Sequence, residues 1–171
     1  MSTYKDKLAK QAGKALAQGE FFVAGAKYLP RGASNRRAAG GVFGAFGALA
    51  AGQTGNKQIV GGAPLPGNLA LGLTNQRLLV FELNQATERV QALTHAIPVS
   101  HVLSVRTEGG RKVGFKVTYV NISLADGSEL ALEAVSPNAA NGAEFARELE
   151  TSSAPVFPPV PSPGDWGYSR S

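Results

Sequence analysis

The sequence holds two histidines, His95 and His101, on either side of Pro98, and no cysteine at all. A zinc site needs three or four nitrogen, sulfur or carboxylate donors converging on one point, and an H-E-x-x-H turn is a compact source of two. Neither histidine has that spacing. Without cysteine, disulfide frameworks, thiolate metal sites and thiol nucleophiles are excluded together. A hydrogen-bonded or solvated imidazole is the expectation at both histidines, with no metal and no cofactor. The acids Glu82, Glu88, Asp126, Glu129 and Glu133 fall on strands or turns, where exposed carboxylates are ordinary, so none is expected to perform acid–base work. Residues 47–54 (GALAAGQT) approach a phosphate-binding loop, but Gln53 stands where the phosphate-reaching lysine must be. There is no G-x-S-x-G and no G-x-G-x-x-G. Asn121-Ile122-Ser123 spells a glycosylation acceptor, but it sits mid-strand in a chain expected not to be exported. The sequence reads as that of a protein without catalysis.

Charge points to binding instead. The net charge is +5, yet residues 1–63 hold nine basic residues against two acids, while residues 64–150 hold seven against nine. A basic N-terminal third on a near-neutral body suits an anionic surface. The candidate contacts are Lys27, Arg31, Arg36, Arg37 and Lys57. After the arginines comes an uncharged stretch, residues 38–52 (AAGGVFGAFGALAAG), with Val42, Phe43, Phe46 and Leu49 as its large side chains. Arginines followed by phenylalanines suit an interfacial anchor, with cations at head groups and rings below. The same small residues also permit close packing against the body of the protein or a second copy of this chain; a flexible linker is the third reading. As a helix the stretch would span ~22 Å, short of the ~30 Å hydrocarbon core. Nucleic acid ranks below lipid or protein as a partner, because aromatic and basic residues do not interleave on a sheet face.

Around these residues the pattern is mostly β. Residues 4–17 have helical period, with Tyr4, Leu8, Ala12, Ala15 and Leu16 on one face and Lys7, Lys10 and Lys14 opposite. No apolar run follows, as a secretion signal would require. Residues 20–29 form a strand ending at Pro30. Residues 68–74 and 77–83 read as a hairpin about Asn75-Gln76, pairing Leu73 with Leu78 and Leu71 with Val80. Gly72 and Ala70 then leave room for Leu79 and Phe81 on the other face. Two further strands cover 89–96 and 101–107, and Gly109-Gly110 is expected to turn. In residues 113–124 the apolar parity slips, which predicts a bulge or bend near Tyr119–Val120 in a strand serving two sheets. Ala125-Asp126-Gly127 fits a hairpin loop that sets Ile122 beside Leu130 and Val120 beside Leu132. Asn141-x-x-Glu144 resembles a capping box before a helix burying Phe145 and Leu149. The proline-rich stretch 151–171, with Trp166 and Tyr168, is expected to be an extended, disordered tail.

The runs LTNQRLLVF (73–81), IPVSHVLSV (97–105) and GFKVTYVNISLADGSELALEAV (114–135), followed by a closing helix, resemble the bacterial pleckstrin-homology-like (PH/GRAM-like) domains. The resemblance covers about 68–150 and implies a mainly β fold. The expected form is a bent seven-stranded barrel with a C-terminal helix, plus the N-terminal helix and the Gly/Ala-rich insertion. The expected organisation is a basic amphipathic helix at 1–19, the domain at 20–150 with its insertion at 30–67, and the tail. It also implies a non-enzymatic binding or adaptor module, cytoplasmic or peripheral at the inner membrane face. Where eukaryotic members bind phosphoinositides, the basic residues lie on the first two strands and a tight hairpin between them; here a long insertion replaces that hairpin. Docking on a protein partner or an anionic membrane is the leading expectation. Self-association through the Gly/Ala-rich segment and non-specific nucleic-acid binding are the alternatives.

Overall fold

The computed structural model describes residues 4–33, 58–112 and 114–154. Helix α1 (Tyr4–Ala12) leads into strand β1 (Phe22–Pro30). A small hairpin, β2 (Ile59–Val60) and β3 (Ala63–Pro64), precedes β4 (Leu69–Thr74), β5 (Arg77–Leu83) and β6 (Val90–Pro98). A 3-10 turn (Val99–His101) then leads to β7 (Val102–Lys112), β8 (Phe115–Leu124), β9 (Glu129–Val135) and helix α2 (Ala139–Ser153). Seven strands form one antiparallel sheet in the order β6-β5-β4-β1-β9-β8-β7. Among the described residues no helix is long and apolar enough to cross a membrane.

The predicted registers hold. Leu73 pairs with Leu78, Leu71 with Val80, Ile122 with Leu130 and Val120 with Leu132, and all eight side chains are fully buried. Gly127 takes a left-handed conformation (φ 82°) and closes the β8–β9 loop, as the Asp-Gly pair predicts. The strand serving two sheets, however, is β1. It pairs with β4 from Phe22 to Tyr28 and with β9 at Leu29 and Pro30. Strand β8 carries no bulge: its pairing runs unbroken from Val117 to Ser123. The parity slip arises because Val117 is buried on one face while Thr118, Val120, Ile122 and Leu124 are buried on the other. Gly109 and Gly110 do not turn either. They lie within β7, and the chain reverses after Lys112, with Lys112 opposite Phe115. Gly110 has another use: a Cβ there would stand 3.0 Å from the Tyr119 ring, so glycine gives that ring room.

Two apolar clusters result. The larger fills the bend of the sheet and is closed by α2 through Phe145, Ala146 and Leu149. Tyr28 meets Phe145 edge to face at 5.9 Å and donates its hydroxyl to the Gly142 carbonyl at 2.6 Å. Burial pushes that hydroxyl above the usual tyrosine range, so it remains a donor. Helix α2 begins before the expected capping box. Asn138 is the N-cap, without a side-chain cap bond, and Asn141 already lies in the first turn. The Thr118 hydroxyl instead ties β8 to the Ala139 carbonyl at 2.8 Å. The helix also runs three residues past Glu150, to Ser153.

The smaller cluster lies on the outside of β4 and β5, where Leu8 and Ala12 of α1 pack on Ala70, Leu79, Phe81 and Leu83. A nine-residue helix is marginal alone in water; burial against the sheet, at ~1.5–3 kcal/mol for each large aliphatic side chain, is what holds it. Gly25 and Gly72 clear the groove: a Cβ on Gly25 would come within 2.8 Å of Phe22 and 2.9 Å of Leu8.

Candidate functional site

The predicted anion-contacting residues divide into two groups. Arg36, Arg37 and Lys57, with Val42, Phe43, Phe46 and Leu49, lie outside the described residues. Lys27 and Arg31 are both placed, on opposite sides of the bend in β1. Lys27 stands on the outer face opposite Ala70 and forms an ion pair with Glu88 in the β5–β6 loop. Its side chain is only 11% exposed. Arg31 is exposed and places its guanidinium carbon 4.8 Å over the Tyr119 ring, a cation–π contact. The structure does not bring these two cations together.

The chain leaves and re-enters the fold at one residue. Arg31 N–H donates to the Ala131 carbonyl at 2.9 Å. The side-chain amide of Gln58 donates to the same carbonyl at 2.8 Å and accepts from Ala131 N–H at 2.9 Å. Gln58 thus copies the bonding of a strand residue along the edge of β9 just where β1 ends. After it, Gly61 (φ 57°) and Gly62 (φ 79°) make the tight turn between β2 and β3.

That hairpin walls one side of a cleft of about 350 Å³. The opposite wall is the second half of β6, with His101 and the β8–β9 loop closing the ends. Val60, Ala63, Ile97 and Leu124 supply apolar lining, while Thr94, His95, His101 and Asp126 supply polar atoms. Strand β6 is one of the two edge strands of the sheet, and its pairing with β5 skips Thr94 between Val80–His95 and Phe81–Leu93. A bulge of this kind bends an edge strand and re-aims its side chains. The Thr94 hydroxyl donates to the Val80 carbonyl at 3.0 Å. Its lone pair therefore accepts from His95 Nδ1, also at 3.0 Å, which assigns the ring proton to Nδ1. His95 Nε2 is buried without a partner among the described residues. At the other end, the hydroxyl and N–H of Ser128 bond Asp126 at 2.6 and 2.9 Å and hold its carboxyl below the usual range. Asp126 is therefore an anion at neutral pH. Among the described residues no group of three or more histidine, cysteine or acidic side chains could hold a metal ion.

A second polar cluster escaped the sequence reading. Glu20 is fully buried as a side chain, and Arg77 bonds it with both Nε and an Nη. Thr74 donates its hydroxyl to the same carboxylate at 2.6 Å, and Ala17 N–H adds a bond at 2.8 Å. Arg77 also reaches the Ala15 carbonyl at 2.9 Å. These bonds fasten the segment after α1 to the β4–β5 hairpin, whose turn is itself held by N–H groups of Gln76 and Arg77 donating to Thr74 Oγ1. The threonine and arginine of the L-T-x-x-R-L run thus serve one structural clamp. An acid just before an apolar strand was the available signal, but nothing local pairs it with residues 54 and 57 positions away.

Seven strands in this order, with one strand shared at the bend and a helix after the last closing the core, give the mainly β, bent seven-stranded form with a C-terminal helix that the sequence led us to expect. Among solved structures the chain is similar to a pleckstrin homology domain from Shewanella amazonensis SB2B, at 12% identity and a TM-score of 0.46, over 86% of this chain and 96% of that one. No family model and no curated protein matches the sequence.

Proposed function

We propose that this protein is a non-enzymatic protein-binding module and that the cleft beside β6 receives a short extended segment of its partner. The observation that carries this reading is the position of the cleft, at the free edge of the sheet. Among the described residues no strand pairs with the outer side of β6, so its backbone groups can receive an extended chain. The apolar lining suits one aliphatic side chain, and the ionised Asp126 at the rim suits a basic residue beside it. Ile59, 62% exposed, and Leu93, 38% exposed, adjoin lining residues and extend the apolar surface outward. The partner chemistry is therefore an extended, aliphatic and basic peptide segment.

The test is selection of a random peptide library displayed on phage against the intact protein and its Ala63→Trp variant, which fills the cleft. Enriched peptides should share an aliphatic–basic pattern, compete with one another and bind the variant at least tenfold more weakly. Enrichment indifferent to Ala63→Trp, in a variant that melts like the parent, overturns the reading.

A second reading, docking on an anionic membrane, is favoured by one observation. Helix α1 buries Leu8 and Ala12 and leaves Lys7 and Lys10 exposed, with Lys14 exposed just beyond its end. They form a basic surface on an element fixed to the sheet.

A further inference from the structure

The sheet has a second free edge. Strand β7 stands at the end of the strand order opposite β6. It pairs with β8 on one side and with no other strand among the described residues. In an antiparallel ladder, alternate residues turn their N–H and C=O groups away from the existing partner, so the outer side of β7 presents a row of unbonded groups. Proteins blunt such an edge with lysine, proline or a bulge. Here the bulge falls at Leu103 and the lysine at Lys112, and the stretch between them, residues 104–110 (SVRTEGG), contains no lysine or proline. Two features of that stretch have no use within one copy of the chain. The side chains of Arg106 and Glu108 are exposed, and neither forms a hydrogen bond or ion pair among the described residues. Gly109 is the other feature. A Cβ there would meet nothing within 4 Å, and glycine weakens a strand interior unless another backbone comes close.

We propose that β7 pairs antiparallel with β7 of a second copy of this chain, about a two-fold axis at Thr107. Such an axis stands perpendicular to the joined sheet and keeps the outer faces of both copies on one side. Directly opposed residues share a face, so the axis must pass through a residue and not between two. Placed at Arg106 or at Glu108, it would set like charges opposite each other, which destabilises a ladder. Placed at Thr107, it sets Arg106 of each copy opposite Glu108 of the other, twice over, and overlaps the whole of 104–110. The same register brings Val105, half-buried at the margin of the core, opposite Gly109, and Ser104 opposite Gly110. Each glycine thus receives a larger side chain of the second copy. Beyond them Leu103, 67% exposed, comes opposite Arg111, whose aliphatic stem can cover it. Both strands contribute the same surface, so the contact closes after two copies. It consumes the β7 edge and leaves the cleft beside β6 open.

The test is the oligomeric state of the full-length protein, measured by sedimentation equilibrium. The parent should dimerise. Arg106→Glu and Glu108→Arg each set like charges opposite one another at both positions and should weaken dimerisation about tenfold or more. An equimolar mixture of the two variants should dimerise like the parent, because in the mixed pair every charge again meets its opposite. A parent that stays monomeric up to ~1 mM, or a mixture that stays monomeric, overturns the proposal. So does a dimer indifferent to both variants, which would assign self-association to another surface. The absence of cysteine from the chain gives a second measurement that does not depend on these charges. Thr107→Cys puts a thiol on the axis, where opposed Cα atoms stand ~4.5–5.5 Å apart, within reach of a disulfide. Mild oxidation should cross-link this variant and not Thr87→Cys, whose site is exposed in the β5–β6 loop. Equal cross-linking of the two overturns the pairing.

Discussion

Glu20 shows what one side chain does for this fold. Hydrogen bonds from Arg77 outweigh the cost of burial and bring its carboxyl from 4.5 down to about 2. The folded state therefore favours the anion, and the stability this contributes is complete above pH ~4.5 and disappears as the pH falls to ~2. Such a shift corresponds to ~3 kcal/mol at full value, and Arg77, 27% exposed, reduces it through solvent screening to ~2 kcal/mol. Glu20→Gln is expected to lower stability by that amount at pH 7 and by almost nothing near pH 2. Urea midpoints measured for both proteins across this range decide the matter. A constant gap at every pH would mean that the shape of the side chain, not its charge, is what the clamp uses. Other cations differ: Lys27 and Arg31 look like ligand contacts by type, and only the ion pair of Lys27 with Glu88 and the cation–π contact of Arg31 with Tyr119 show that the fold already engages them.

At the scale of elements, α2 offers a case where two effects oppose. Glycine inside a helix ordinarily costs ~1 kcal/mol against alanine, so Gly142→Ala ought to stabilise α2. A Cβ at that position, however, would stand 2.5 Å from the Ala134 Cβ and 3.3 Å from the Tyr28 ring. The Ala134 methyl is fixed to β9 and cannot move away. Overpacking of this kind costs ~1–3 kcal/mol, and more when backbone must shift. Packing wins, and thermal melts should show Gly142→Ala less stable than the parent; an unchanged or raised midpoint would mean that α2 slides on the sheet at no cost. Local alternation made the hairpins and the eight core residues legible in the sequence, because pairing partners there lie within a few residues of a recognisable turn. The bend in β1 was not, since it depends on which strand each half of β1 meets. The cleft was invisible for a related reason: its walls come from residues 60, 61, 63, 94–98, 101 and 124–126, and no periodicity connects them.

For the whole molecule, the question is whether an uneven charge suffices for membrane docking. Each lysine near an anionic bilayer contributes ~1 kcal/mol, so Lys7, Lys10 and Lys14 together supply ~3 kcal/mol. Even millimolar affinity needs ~4 kcal/mol. The apolar side of α1 cannot make up the difference, because Leu8 and Ala12 are fully buried against the sheet. Binding should then be purely electrostatic and governed by the reach of the charges, ~30 Å at 0.01 M salt but only ~8 Å at 0.15 M. The expected outcome is co-sedimentation with phosphatidylserine vesicles at ~0.01 M salt and none at ~0.15 M. Phosphatidylcholine vesicles should sediment no protein at either salt. Replacing the three lysines with glutamine should remove the low-salt binding while leaving the melting temperature within a few degrees of the parent. Deleting residues 38–52 should leave that binding in place. Sedimentation that persists at physiological salt and depends on residues 38–52 would require apolar insertion and would overturn the electrostatic reading.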